Sequence, residues 1–133
     1  MIGIEFDDTI HGPGAPHPIG KSFFVNWRVV EGRELMPEDV FLRDSGWGKF
    51  LADQCFAFLS KQDGSEIKTP EALDERVAEP KRWRFGKDGL MIHFNVDELA
   101  GYALGAPDVL IPWADLKPYL TPAGMALAGG SPI

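Results

Sequence analysis

Between Gly46 and Gln62 apolar side chains recur at intervals of three and four. They are Trp47, Phe50, Leu51, Cys55, Phe58 and Leu59, with Lys49, Asp53 and Lys61 off that line. Such spacing draws one apolar stripe along an α-helix, and Ser45 stands where an N-cap is wanted. A helix striped in this way gains most of its stability by laying the stripe on something else. The rest of the chain offers no second segment of comparable length and period. It offers short alternating stretches, so the predicted partner surface is a sheet.

Those stretches follow in order. Gly3 to Asp8 makes a short edge strand. Ser22 to Val30 alternates, with Phe23, Val25, Trp27 and Val29 on the predicted core face and Phe24, Asn26 and Arg28 opposite. Met36 to Phe41 reads as a helical turn with Pro37 placed early, and Thr69-Pro70-Glu71 opens a brief helix through Val77. Arg82 to Gly86 is a strand, Lys87-Asp88-Gly89 a hairpin turn, and Leu90, Ile92 and Phe94 the apolar face of the returning strand. Val109-Leu110-Ile111 reads as a central strand that Pro112 stops, and Trp113 to Leu120 as a short helix. No regular strand–helix–strand alternation runs through this order. The prediction is an α+β fold: a mainly antiparallel sheet with one long amphipathic helix packed on one face, plus short helices. Residues 1–120 form a single domain, and residues 121–133, small and glycine-rich, a flexible C-terminal tail.

Charge narrows the partners. Thirteen basic against twenty acidic residues leave a formal net charge of −7, a field that repels phosphate backbones and favours a cationic partner. The same charge also keeps a small protein soluble. No apolar run approaches the roughly 20 residues that cross a bilayer. The start, Met1-Ile2-Gly3-Ile4-Glu5-Phe6-Asp7-Asp8, carries acids where a signal peptide has its basic and apolar regions. As given, the sequence is that of a soluble domain with no membrane span.

Residues able to do chemistry are sparse. Asp7, Asp8, His11 and His17 are the best local metal cluster, but no zinc-type histidine spacing supports them, and no metal or cofactor is predicted. Cys55, the single cysteine, lies on the apolar stripe between Leu51 and Leu59, which fits core packing rather than nucleophilic work. The acid pairs Asp74–Glu75 and Asp97–Glu98 are adjacent in sequence, which does not produce the opposed geometry of a glycosidase. Gly86-Lys87-Asp88-Gly89 is a turn without Walker spacing. No catalytic residue is assigned.

The last third of the chain carries a resemblance. Arg82 to Asn95 gives an aromatic strand, an Asp-Gly-Leu turn and an apolar strand ending in Phe94. Tyr102-Ala103-Leu104-Gly105 follows, then Val109-Leu110-Ile111-Pro112-Trp113 and Asp115-Leu116. This order resembles the C-terminal extracytoplasmic domain family of unknown function found in RsiV-type lysozyme-sensing anti-sigma factors and in the non-catalytic region of PdaC-type peptidoglycan deacetylases. Upstream, Gly14-Ala15-Pro16-His17-Pro18 is similar to that family's glycine-alanine-histidine loop, with Pro16 inserted. Phe24 to Trp27, Gly32 to Leu35 and Asp39 to Phe41 match the segments after it. Asn95-Val96-Asp97-Glu98 departs from the family's Pro-Tyr-Glu. The resemblance implies export to the periplasm or beyond, a single α+β domain, and binding of a lysozyme-like protein or of cell-wall glycan.

Binding residues concentrate on loops held by a rigid scaffold. The predicted contact surface is therefore the glycine-proline loop, with Gly14, Ala15 and His17, and the loop from Asn95 to Pro107, with Asn95, Tyr102 and Gly105. Trp113, at a strand end, completes the set. Three functions are weighed: a non-enzymatic domain that binds a cationic, lysozyme-like protein; a peptidoglycan-binding accessory module; and a small hydrolase, last because no nucleophile–base pair is visible.

Overall fold

The computed structural model describes residues 1–10, 19–61, 67–94 and 107–130. Among them the fold is mixed α/β, with two antiparallel three-stranded sheets and five α-helices. In the first sheet β1 (Ile2–Ile10) pairs with β2 (Ile19–Arg28), Ile2 opposite Trp27 and Ile10 opposite Ile19. The two-residue β3 (Arg33–Glu34) continues the sheet after a turn in which the Gly32 amide donates to the Arg28 carbonyl at 2.8 Å. The second sheet joins β4 (Trp83–Phe85), β5 (Gly89–His93) and β6 (Asp108–Pro112) in that order. The turn between β4 and β5 needs glycine at position 89, because a methyl group there would overlap the Ile111 carbonyl on the neighbouring strand.

The sheet predicted as one is therefore divided. Its two parts meet where β2 approaches β4, and the junction is a side-chain bond rather than a ladder: Asn26 Nδ2 donates to the Trp83 carbonyl at 2.9 Å. The same junction corrects the expected face of β2. Its alternation is present, but Phe24 and Asn26 are buried, while Trp27 is 39% exposed and Val29 53%. Counting apolar residues favours the Phe23–Val29 side. The structure instead buries the side whose polar members, Asn26 and Arg28, find partners.

Helix α2 (Trp47–Leu59) begins one residue later and ends three earlier than its periodicity suggests. Ser45 does not cap it. Gly46, in the left-handed region at φ 81°, is the N-cap, and Ser45 Oγ is buried without a partner. The buried positions are Leu51, Ala52, Cys55 and Leu59, with Trp47 and Phe50 half-buried and Phe58 45% exposed. The stripe is turned towards Ala52 because a second layer, Pro70–Leu73 with α3 (Asp74–Val77), packs on that side through buried Leu73 and Val77.

Trp83 is the centre of the core. It is fully buried, its indole N–H donates to the Val77 carbonyl at 2.8 Å, and the rings of Phe41, Trp47 and Phe85 meet it edge-on at 5.4, 6.1 and 6.2 Å. Phe41 and Trp47 stack on each other at 4.8 Å.

A charged clamp holds α1 (Pro37–Val40) to the first sheet. Both carboxylate oxygens of Asp39 accept from Arg33, at 2.7 and 2.8 Å, Arg28 Nη1 adds a bond of 2.9 Å, and the Met36 amide one of 2.7 Å. The Arg33 hydrogen bonds, helped by Met36 and Arg28, outweigh the burial that opposes ionisation and hold the Asp39 carboxyl well below the usual carboxylate range.

The segment expected to be a flexible tail contains α5 (Pro122–Ala128), which follows α4 (Trp113–Leu116) and the turn Lys117–Tyr119. Thr121 caps it by accepting from the Gly124 amide at 3.0 Å, and donates its own hydroxyl to the Asp39 carbonyl at 2.6 Å. Small residues read as poor packers, yet smallness is the point here: a methyl group on Gly124 would overlap the Val40 carbonyl. Residues 131–133 lie outside the described residues.

Two substitutions test this framework. Asn26→Leu removes the bond across the sheet junction and is expected to cost about 1–3 kcal/mol by urea denaturation; an unchanged stability would mean this bond contributes nothing. Asp39→Asn is expected to cost about 2 kcal/mol at neutral pH. Because folding lowers the Asp39 pKa, its contribution is complete above the unfolded value of about 4 and is lost progressively as pH falls from there towards the lower folded-state value. The gap between variant and parent therefore narrows from pH 7 to pH 3, and a constant gap would refute the clamp.

Candidate functional site

Of the residues predicted to form a contact surface, Gly14, Ala15, His17, Asn95, Tyr102 and Gly105 lie outside the described residues. Trp113 is described. It opens α4 directly after Pro112, is 7% exposed, stacks on Phe85 at 6.1 Å, and donates its indole N–H to the Gly86 carbonyl at 2.8 Å. It closes the end of the core and leaves little ring surface for a ligand.

The most distinctive surface lies elsewhere, on the acidic stretch after α2. Pro70 starts a tight turn, and the inward pull of Leu73 and Val77, four residues apart, fixes which side faces water. Glu71, Asp74 and Glu75 are left on the outside, exposed and without an ion-pair partner among the described residues. They line a groove of about 500 Å³ whose far wall is Arg76, Glu79 and Arg82. A second hollow of about 280 Å³ shares Glu71 and Asp74 and reaches Lys49 and Asp53 on α2. The two make a continuous acidic strip. In the sequence this stretch looks like a solvated excursion; the signal for its geometry was the Leu73–Val77 spacing.

The arginines of the wall are engaged. Arg82 Nε donates to Glu79 at 3.1 Å and Nη1 to the His93 carbonyl at 3.4 Å, while its guanidinium lies 6.0 Å from the Phe94 ring centre. Arg76 donates to the Ala72 carbonyl at 3.2 Å. Burial opposes ionisation of Glu79, but hydrogen bonds from Lys81 and Arg82 prevail and lower its pKa. Glu79 thus serves the wall, and Glu71, Asp74 and Glu75 supply the field in front of it.

Groups suited to catalysis are placed otherwise. Burial pushes the Cys55 thiol up to about 12, the reverse of what a nucleophile needs. His93 is buried on β5 with Nδ1 2.6 Å from Asp108 Oδ1 and Phe24 edge-on at 6.0 Å. Among the described residues no group of three or more His, Cys, Asp or Glu side chains is arranged to hold a metal ion, and no helix is long and apolar enough to cross a membrane.

Comparisons with known proteins agree with this architecture. The chain is similar to a crystal structure of a DUF3298 family member from Bacteroides fragilis, with 21% identity and a TM-score of 0.67 over 96% of this chain and 50% of that one. It is also similar to a DUF3298 family protein from Pseudomonas aeruginosa, with 15% identity and a TM-score of 0.63 over 91% of this chain and 56% of that one. The chain thus spans about half the length of these solved structures, and at such identity the likeness is one of fold. No curated protein matches it significantly in sequence. The family profile described as "Protein of unknown function (DUF3298)" matches residues 38–114, from α1 to the first turn of α4 and through the acidic strip between them. With more than half of its length matched, the chain belongs to the DUF3298 family of proteins of unknown function.

Proposed function

We propose that this domain is a non-enzymatic binding or sensing domain of the cell envelope whose acidic strip receives a cationic protein, with lysozyme-like enzymes the first candidates. The observation that carries this reading is the row of exposed carboxylates, Glu71, Asp74 and Glu75, none of them in a direct ion pair among the described residues, along a groove with structured walls. A net charge of −7 adds a long-range field of the same sign. Together they raise the encounter rate of a basic partner with this strip. The sequence resemblance to the C-terminal region of RsiV-type sensors supplies the envelope setting and the kind of partner. On this reading the domain works outside the cytoplasm.

A wall-glycan reading has one observation of its own. Trp27 is exposed on the outer face of β2, with Ile4 and Val25 paired across the same face, and an exposed indole stacks on sugar rings. Quenching of tryptophan fluorescence by muropeptides, abolished in Trp27→Ala, would favour it over the first.

Calorimetry with a purified lysozyme tests the main proposal. Binding is expected at about 20 mM salt and to weaken markedly at about 150 mM, since the Debye length shortens over that range. Replacing Glu71, Asp74 and Glu75 by their amides is expected to weaken it by about tenfold or more. Absence of binding at both salt concentrations, or full binding by the triple variant, would reject the acidic strip as the contact surface.

A further inference from the structure

We propose that a second groove, between the β4–β5 turn and α5, is a docking site for an acidic peptide segment. This surface is separate from the acidic strip and does not depend on its role. The groove has a volume of about 550 Å³ and is lined on its apolar side by Pro112, Met125 and Ala128, with the largely buried Trp113 beneath them. Met125 is 44% exposed, an unbranched thioether laid open on a helix whose Leu127 and Ala128 pack against the core. Such side chains suit surfaces that accommodate partners of varied shape.

Charge selects the occupant. Lys87 stands on the turn side of the groove and Lys117 on the α4 side, both exposed and neither paired with a carboxylate among the described residues. In a chain of net charge −7, two free ammonium groups bracketing an apolar floor form a local reversal of sign. The rim also carries the exposed Asp88, an acceptor with no cation assigned to it. A peptide uses all three features: carboxylates for the lysines, an apolar side chain for the floor, and a backbone N–H for Asp88. A fatty acid has no donor for Asp88, and a nucleic acid meets the repulsion of the whole domain at every phosphate, whereas a segment with two carboxylates meets it only twice. The occupant is thus a short segment with acidic residues flanking one or two apolar ones.

The test uses capped acetyl-Glu-Leu-Leu-Glu-amide and acetyl-Lys-Leu-Leu-Lys-amide, with NMR shifts of the Met125 methyl and the Trp113 indole N–H as readout. The acidic peptide is expected to shift both signals saturably, and the lysine peptide neither. Lys87→Ala/Lys117→Ala is expected to weaken the acidic peptide by about tenfold, whereas Lys87→Arg/Lys117→Arg retains it. Equal response to the two peptides, or no response to either, overturns the proposal. So does binding that appears only when residues 131–133 are removed, because the groove's occupant would then be the chain's own terminal segment.

Discussion

Everything in the described fold is referred to one buried indole. Trp83 has no solvent exposure, and it is held by its polar atoms as well as by its rings. Its indole N–H ties β4 to the end of α3, and its backbone carbonyl receives the amide of Asn26 from the other sheet. An unsatisfied polar group at this depth is costly, so those two bonds are conditions for burying the ring at all. Once it is buried, Phe41, Trp47 and Phe85 have an edge to pack on, and α2 acquires its seat. Sheet junction, acidic segment and main helix are thereby fixed to one reference point.

Much of the local structure was legible. The β4–β5 hairpin follows from alternation and an Asp-Gly turn, and the structure pairs Trp83 with Ile92 and Phe85 with Leu90. The alternation of β2 was legible too, but not its inner face, because alternation says which residues share a side and not which side is buried. Asn26 and Arg28 looked like solvent residues until their partners, sixty and ten positions away in round terms, came into view. The turn of α2 towards Ala52 depended in the same way on Leu73 and Val77. The capped helix α5 was invisible because its determinants are one hydroxyl and the absence of a side chain at Gly124.

The candidate surfaces show the same division. The acidic strip was present in the sequence as composition, but its arrangement along a groove needed the register of the turn at Pro70. Trp113 was singled out correctly as lying at a strand end, and the structure puts it under a groove instead of on display. The six loop residues read as contacts all lie outside the described residues. What can be compared points to opposite electrostatic characters at two places: carboxylates before α3, ammonium groups beside α5.

The seal between α1 and α5 has a kinetic meaning. Thr121 gives its hydroxyl to the Asp39 carbonyl and its amide to the Val40 carbonyl, 2.8 Å away, so the end of α1 acquires these partners from more than eighty residues downstream. Contacts of such separation require the long loop between them to be closed. Closing that loop costs chain entropy before the two bonds repay it, so the seal that ties α1 to α5 also slows the folding of the chain that carries it.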